Sequence, residues 1–325
     1  MIVKEREVPM KIQQYEALLR RLLKRHELIP EIEAELKKRY KGYKGELSVD
    51  YYTDLLSIEK KEIRVFQNLR LPYGPHFFQI DTLLIFPQFV LILEVKNISG
   101  TLIFDPDREQ MVRVYNEKEE GFQCPIAQVK RHRIQLMQWM KSRKFPSIPI
   151  EYLVVVSNPA TILKFANGNN RADIKKVIHG HSLVNKVYEL SKMIKTQKFD
   201  DKQLKRVSRG LLKDHRPSPP ENLMKLFNLS IENIATGVLC PSCEKSPMVR
   251  THGSWFCSTC REWKHDAHNN ALSDYFLLLN DSITTRQFCH FAHISSNKTG
   301  YRLLQTSNLS FSGTGRARKY FLPSS

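Results

Sequence analysis

The stretch "DTLLIFPQFVLILEVK", residues 81–96, constrains the fold more than any other part of the chain. Two runs rich in Leu, Ile, Val and Phe meet at Pro87, which predicts a β-hairpin. Charged residues stand only at the two ends, Asp81 at one and Glu94 with Lys96 at the other. Because side chains alternate along a strand, Glu94 and Lys96 share one face, and antiparallel pairing would bring Asp81 close to Glu94. The apolar runs would then anchor three charged side chains at one edge of a sheet.

Further apolar runs of strand character flank this hairpin, and stretches with helical spacing alternate with them. A long helix is expected from Pro125, because proline is favoured at the first helical position. Gly42 and Gly45 are expected to interrupt the helical pattern before a shorter helix that carries Glu46. This order of elements predicts an α/β fold in which helices flank a sheet.

Changes in composition and the positions of the prolines divide the chain into further regions. Charged amphipathic patterns near the start predict two helices broken near Pro30, and the proline-rich stretch "KDHRPSPPEN" is typical of a linker. The expected organisation is an N-terminal helical extension over 1–40, the α/β domain over 41–195, a helical and proline-rich linker over 196–237, a cysteine-rich unit over 238–263 and a C-terminal domain over 264–325.

The chain carries 51 basic and 33 acidic residues, a formal net charge of +18. Such an excess favours a polyanionic partner, nucleic acid first and an anionic membrane surface second, although a basic surface can also serve solubility alone. No apolar run approaches the roughly 20 residues of a membrane helix, and the first residues lack the apolar core of a secretory signal. We therefore expect a cytoplasmic protein without a membrane partner.

The charged ends of the hairpin suit metal chemistry. Two carboxylates on one face, Asp81 and Glu94, with the carbonyl of Val95, offer the oxygen ligands that Mg²⁺ or Mn²⁺ takes. Lys96 beside such an ion would orient or help to deprotonate a water molecule and would offset charge on a phosphate. The alternative is an ordinary surface ion pair between Glu94 and Lys96, which contributes only ~0–1 kcal/mol.

Four motifs in order resemble the PD-(D/E)XK nuclease superfamily, and more closely its nuclease-related domain, NERD. They are "GYKGE" before a helix, "FQIDTLLIF", "ILEVKNISG" and "CPIAQVKRH", the last with Cys124 where the family often has Asn. The resemblance implies a restriction-endonuclease-like mixed sheet flanked by helices and metal-dependent phosphodiester hydrolysis. The site residues that it implies are Glu46, Gln79, Asp81, Glu94, Lys96 and Gln128. An acid that starts a helix can instead serve the helix dipole, and glutamines often only bond to the backbone.

Four of the six cysteines form a C-x2-C-x13-C-x2-C pattern. This spacing predicts a tetrahedral Zn²⁺ site with four thiolates, which leaves no position for water and is therefore structural. The pattern resembles a zinc ribbon, and a redox dithiol or buried free thiols are the alternatives. The expected ligands of one Zn²⁺ are Cys240, Cys243, Cys257 and Cys260.

From Ser282 to Ser325 the chain has six basic residues and no acidic residue. Two short helices joined by a turn, then two strands around a glycine-rich loop, are expected there. This order resembles a winged helix-turn-helix domain and implies a recognition helix over 296–306 in the major groove. The same fold can instead serve protein contact or packing. The candidate DNA contacts are Asn297, Lys298, Thr299, Arg302, Arg316, Arg318 and Lys319.

These features together predict a metal-dependent nuclease acting on nucleic acid, double-stranded DNA first, with the zinc ribbon and winged helix as binding modules. A DNA-binding regulator with a non-catalytic nuclease fold would share the basic surface, but intact acids and lysine favour the enzyme. A membrane-surface or docking factor would instead bind anionic lipid. The choice between DNA and RNA, the mode of cleavage and the oligomeric state stay open.

Overall fold

The computed structural model of the chain describes residues 1–59, 62–166, 171–196, 198–244 and 247–323, without the side chains of Arg171 and Arg316. Its strands are β1 (Ile2–Lys4), β2 (Arg64–Tyr73), β3 (His76–Ile85), β4 (Val90–Lys96), β5 (Thr101–Asp105), β6 (Gln110–Tyr115), β7 (Lys118–Gln123), β8 (Ile150–Val156), β9 (Ile162–Phe165), β10 (Val177–His179), β11 (Val249–Thr251), β12 (Ser254–Phe256), β13 (Trp263–Lys264), β14 (Ser282–Thr284), β15 (Ser310–Ser312) and β16 (Lys319–Phe321). Its helices are α1 (Met10–Arg21), α2 (Ile29–Glu59), α3 (Pro125–Ser142), α4 (Arg171–Ile174), α5 (Leu183–Met193), α6 (Asp201–Asp214), α7 (Leu223–Leu226), α8 (His268–Leu278), α9 (Thr285–Phe291) and α10 (Asn297–Thr306).

The chain divides into two compact units, which are described separately. The first comprises Met1–Val8 and Tyr40–Ser218, and the second comprises Pro9–Arg39 and Pro219–Ser325. Helix α6 lies within the stretch expected to be a linker, yet its apolar face is buried in the core of the first unit. None of the helices in the described parts of either unit has the length and hydrophobicity needed to span a bilayer.

The first unit is built on a six-stranded mixed sheet with the strand order β1-β2-β3-β4-β8-β10. Strands β2, β3 and β4 are antiparallel neighbours, whereas β4, β8 and β10 run parallel. Apolar residues of α3 and α6 cover one face, and those of α2 and α5 cover the other. A second sheet of order β7-β6-β5-β9 follows the hairpin. The expected mixed sheet flanked by helices is thus confirmed.

Strand β4 is buried on both faces, which explains its continuous apolar run. Val90 and Ile92 belong to the core beneath α3, while Leu91 and Leu93 belong to the core beneath α2 and α5. A strand with helices on both sides needs apolar residues at successive positions rather than at alternate ones. The charged residues of the hairpin therefore stand where this double burial ends.

Helix α2 runs without a break from Ile29 to Glu59, so the interruption expected at Gly42 and Gly45 is wrong. A Cβ atom at position 45 would lie 2.8 Å from Ser157 Oγ and closer still to the side chain of Asn97. Gly45 therefore allows helix α2 to pass close to the ends of β4 and β8, and it does not end the helix.

The two glycines of α2 give a matched pair of variants. Gly45→Ala should lower the free energy of unfolding by about 1–3 kcal/mol, because the added carbon overpacks the contact with Asn97 and Ser157. Gly42→Ala should raise it by about 0.5–1 kcal/mol, because position 42 faces open space and alanine is the better helix former. Urea denaturation of both variants checks this, and equal effects would contradict the close-approach explanation.

The second unit joins the cysteine-rich hairpin and the C-terminal helices in one hydrophobic core. Trp255 and Cys257 of the hairpin region pack in the same cluster as Phe288, Leu304 and Tyr320. Strands β11, β12 and β13 form one small sheet, and β14, β16 and β15 form another in that order. The cysteine-rich hairpin and the C-terminal helices, which were predicted as two modules, therefore share one hydrophobic core.

Candidate active site

The carboxyl end of β4 gathers the charged side chains of the hairpin. The register of β3 and β4 places Asp81 opposite Glu94, one step beyond the last paired residues. The Val95 N–H donates a hydrogen bond to Asp81, with 2.9 Å between N and Oδ2. The Lys96 ammonium donates to Glu94, with 2.7 Å between Nζ and Oε1. The register expected for the hairpin is therefore confirmed, and it brings the three charged residues together.

Helix α3, which begins at Pro125 as predicted, adds two side chains one turn apart. Gln128 Oε1 accepts a hydrogen bond from Lys96 Nζ at 3.2 Å. His132 is 12% exposed, and its Nδ1 lies 3.7 Å from Glu94 Oε2. Neither of these two atoms has a hydrogen-bond partner among the described residues. The spacing of Gln128 and His132 is the signal that could have singled out His132 within its basic run, since residues four apart share a helix face.

Arg6 is the main site residue that sequence reasoning missed. Its side chain is 1% exposed and donates to both carboxylate oxygens of Asp50, at 2.7 and 3.0 Å. It also donates to Glu46, to the Asp81 carbonyl at 2.9 Å and to Thr82 Oγ1 at 3.0 Å. One buried guanidinium thus ties α2 to β3 beside the hairpin charges.

Local sequence gives little sign of this arginine. Arg6 follows a three-residue strand near the start of the chain, far in sequence from all of its partners. Asp50 does carry a signal, because it lies four residues after Glu46 and therefore on the same face of α2. A search for acids at helical spacing would have found Asp50 but would not have found Arg6.

Two acids of the cluster, Glu46 and Glu94, have raised pKa values. Burial, and next the charge of Asp81, raises the pKa of Glu94 to about 8 and that of Glu46 to about 7. Burial disfavours the charged form of Lys96, but Glu94 and Asp81 outweigh it and raise the pKa of this lysine. With every group ionised the cluster has a net charge of −2, from Glu46, Asp50, Asp81, Glu94, Arg6 and Lys96.

This charge balance fits a divalent cation. Glu94 Oε2 is buried without a hydrogen-bond partner among the described residues, and the nearby Asp81 and Glu46 also offer carboxylate oxygens. Carboxylate oxygens are the ligands that Mg²⁺ and Mn²⁺ prefer. Among the described residues, however, only the four cysteines bring three or more ligand atoms within 4.8 Å of one another, so Asp81, Glu94 and Glu46 stay predicted ligands of such an ion.

The raised pKa values predict a stability that depends on pH. Because Glu94 and Glu46 hold protons in the folded state that the unfolded chain loses near pH 4.5, stability should fall as pH rises from about 4.5 to 8. Glu94→Gln should raise the unfolding midpoint of the metal-free protein by about 2–5 °C at pH 8.5 and change it little at pH 5. Thermal scans at the two pH values test this, with the exposed Glu119→Gln as control; an equal shift at both pH values would contradict it.

Gln79 is the predicted site residue that does not join the cluster. Its side chain is exposed and donates to Asn68 Oδ1 at 2.6 Å. Within the described residues no hydrogen bond connects it to Asp81 or Glu94. Gln79 and Asp81 both lie on β3, but of these two only Asp81 belongs to the cluster.

The four predicted zinc ligands converge in the second unit. Their sulfur atoms lie within 4.8 Å of one another, with 3.5 Å between Cys240 and Cys260 and 3.6 Å between Cys243 and Cys257. A disulfide needs about 2.05 Å, whereas sulfurs around a tetrahedral Zn²⁺ at about 2.3 Å lie roughly 3.8 Å apart. The cluster could therefore hold zinc.

The predicted DNA contacts on α10 lie on its outer face. Helix α10 begins after Ser296, whose hydroxyl accepts from the Thr299 N–H at 3.3 Å. Asn297, Lys298 and Arg302 are exposed, and Thr299 is half-buried. Ser296 thus caps the helix, and the polar residues Asn297, Lys298 and Arg302 face solvent.

The remaining candidates lie on and before β16. Arg318 donates to the hydroxyl of Tyr301 at 3.1 Å and stands 4.6 Å from the centre of the Phe311 ring. Lys319 is exposed. Arg316 lies in a short 3-10 turn, and its side chain is outside the described residues. Arg318 is therefore held by two exposed aromatic rings that sequence reasoning did not single out.

The first unit thus combines a mixed sheet flanked by helices with an acid and lysine cluster at one strand end, the arrangement of a nuclease-like α/β domain. A family model described as nuclease-related domain, NERD, matches residues 41–157. This segment is therefore a nuclease-related domain, as its four motifs predicted, and it contains Glu46, Asp81, Glu94 and Lys96 but not Arg6. Among the curated proteins and the solved structures, no match to the chain is found.

Proposed function

We propose that this protein is a metal-dependent nuclease that hydrolyses phosphodiester bonds of nucleic acid, with double-stranded DNA as its substrate. The observation that carries the proposal is the convergence of Asp81, Glu94 and Lys96 at the end of β4, inside the nuclease-related domain. A buried cluster of this charge is costly to a protein that makes no use of it.

Each residue of the cluster has a role in this proposal. Asp81 and Glu94 would hold Mg²⁺ or Mn²⁺ with the Val95 carbonyl, and Glu46 would assist as the acid borne by α2. When bound, such an ion supplies an activated water and charge stabilisation at the phosphate. Lys96, oriented by Glu94 and by Gln128, places its ammonium where it can position the water and offset negative charge. Gln79 stays a candidate through its motif alone.

The second unit is proposed to bind DNA. The order α8, β14, α9, α10, β15, β16 supports a winged helix-turn-helix, with α10 as the recognition helix and the β15–β16 loop as the wing. Asn297, Lys298, Thr299 and Arg302 would then meet the major groove, and Arg316, Arg318 and Lys319 the backbone. One structural Zn²⁺ on the four cysteines would stabilise the adjoining hairpin as a zinc ribbon. Thiol ligands of this kind also favour a cytoplasmic location.

Cleavage assays test the catalytic proposal directly. Supercoiled plasmid, linear duplex, single strands and RNA are incubated with Mg²⁺, with Mn²⁺ or with a chelator. The wild type should cut in the presence of metal only, Asp81→Asn should be inactive, and Lys96→Ala should lose about 10²–10⁴-fold in rate. The exposed Lys118→Ala is the matched control and should keep full activity.

The same assay separates the alternative classes. Cleavage that survives both Asp81→Asn and Lys96→Ala would place the chemistry elsewhere. DNA binding without cleavage on every substrate and metal would instead identify a regulator with a non-catalytic nuclease fold. Binding to anionic vesicles with indifference to nucleic acid would identify a membrane-surface factor.

A further inference from the structure

The small C-terminal sheet presents an aromatic ring beside helix α10. Phe311 on β15 stands opposite Tyr320 on β16 in the register of the two strands, so the two side chains share one face of the sheet. Tyr320 is 1% exposed, and its hydroxyl accepts a hydrogen bond from Gln305 Nε2 of α10 at 2.9 Å. Phe311, by contrast, is 56% exposed. The ring of Phe311 therefore lies at the solvent edge of the contact between the sheet and α10.

An arginine and a second aromatic residue hold this ring. The Arg318 guanidinium carbon lies 4.6 Å from the centre of the Phe311 ring and 5.8 Å from the centre of the Tyr301 ring. Arg318 Nη1 donates to the Tyr301 hydroxyl at 3.1 Å. A guanidinium is attracted to the face of an aromatic ring by the electrons of that face. Phe311, Arg318 and Tyr301 therefore form one connected group between the β15–β16 sheet and α10.

This group exposes aromatic surface within a strongly basic segment. Tyr301 is 45% exposed and lies three residues after Lys298, on the same face of α10. From Ser282 to Ser325 the chain has six basic residues and no acidic residue. Such a surface suits a partner that carries both negative charge and flat apolar faces. A nucleic-acid strand offers both in its phosphates and bases, whereas an anionic membrane offers charge without flat faces.

The flat shape of the ring selects the part of a nucleic acid that it can contact. Inside a duplex each base is stacked between its neighbours and presents only its edge to the grooves. In an unpaired stretch the face of a base is open, and aromatic side chains stack on it. A ring that a guanidinium already holds is suited to this contact, because it loses little conformational freedom on binding.

We propose that Phe311, held by Arg318 and Tyr301, stacks on the face of an unpaired base, so that the second unit prefers DNA with a single-stranded overhang to a blunt duplex. This inference rests on the proposed DNA binding of that unit and narrows the substrate to DNA that carries unpaired bases. The basic residues supply affinity for any strand through its phosphates, and the ring supplies the preference for the unpaired one.

Binding of fluorescent DNA, measured by anisotropy on the full chain, tests this preference. The Asp81→Asn background without added divalent metal keeps the DNA intact, and the probes are a blunt duplex and the same duplex with a short overhang. Phe311→Leu should weaken binding to the overhang duplex about tenfold and leave binding to the blunt duplex unchanged. The salt slope should stay the same, because no charge is removed. Leu322→Ala removes another exposed apolar side chain of this region and is the matched control, which should bind like the parent.

Two further measurements identify the contact itself. 5-Iodouracil in the overhang should crosslink to Phe311 under ultraviolet light, as mapped by mass spectrometry, because this base reacts with an aromatic ring that stacks on it. Phe311→Trp should keep the affinity, because a larger ring also stacks. Since Phe311 is mostly exposed, its variants should have the thermal midpoint of the parent.

Several results would overturn the inference. They are unchanged binding of the overhang duplex in Phe311→Leu, equal losses on both duplexes, crosslinks that avoid Phe311, or a loss of binding to phosphatidylserine vesicles in place of DNA. Equal affinity of the parent for both duplexes would overturn it and leave the proposed DNA binding intact. Absence of binding to either duplex would remove both, and none of these results depends on cleavage.

Discussion

Arg6→Ala should lower the free energy of unfolding of the first unit by about 3–5 kcal/mol, the cost of removing one partner from a buried ion pair. The guanidinium makes hydrogen bonds to Asp50, Glu46, Asp81 and Thr82, and the Asp50 side chain that it leaves behind is only 9% exposed. A buried carboxylate without a partner loses its hydration, and no ion pair or hydrogen bond replaces it. The loss should therefore be far larger than for an ordinary surface ion pair.

The matched control is Arg108→Ala in the same unit. Arg108 pairs with Asp105 at 3.0 Å but is 80% exposed, so its loss should cost no more than about 1 kcal/mol. The two variants are compared by urea unfolding and, separately, by hydrogen exchange at the amides of β2 and β3. Arg6→Lys should be intermediate, because an ammonium keeps the charge and loses the two-pronged contact with Asp50. Similar small losses in Arg6→Ala and Arg108→Ala would contradict the buried network.

Cys257→Ser should abolish metal binding and unfold the second unit around the hairpin. The wild type should contain about one Zn²⁺ per chain, and binding of structural zinc is worth about 10–16 kcal/mol in small zinc domains, so its loss exceeds the stability of a typical domain. Cys257 and Trp255 are both buried in the core that also contains Phe288 and Leu304. The unfolding that follows loss of the metal should therefore spread from the hairpin to the helices.

Tryptophan fluorescence reports this loss with little interference. Of the three tryptophans, Trp139 lies in the first unit, while Trp255 and Trp263 lie on β12 and β13. In a Trp139→Phe background, Cys257→Ser should shift the emission to the red as Trp255 enters water. Cys124→Ala, which removes a buried thiol of the first unit, should keep one Zn²⁺ per chain. A metal-free wild type with a native Trp255 signal would refute the zinc site.

The contrast between Glu46 and Arg6 indicates how far sequence reasoning reaches in this site. Glu46, Asp81, Glu94 and Lys96 were predictable because each stands in a motif whose spacing is local. Arg6 and the role of Gly45 were not, because both depend on contacts between distant segments. A glycine within a helical pattern is interpreted as a helix break unless the residues packed against it are known. The residues packed against Gly45 are Asn97 and Ser157, which lie more than fifty residues away in the sequence.

The sequence by itself determined the β3–β4 hairpin, the register that pairs Asp81 with Glu94, the four-cysteine cluster and the two short helices near the C-terminus. These features follow from periodicity, short turns and ligand spacing, which act over a few residues. Only the tertiary structure decided that Arg6 neutralises Asp50 and that α2 passes unbroken over Gly45. Burial and electrostatics between remote segments decide such contacts, and these become defined only when the chain has packed.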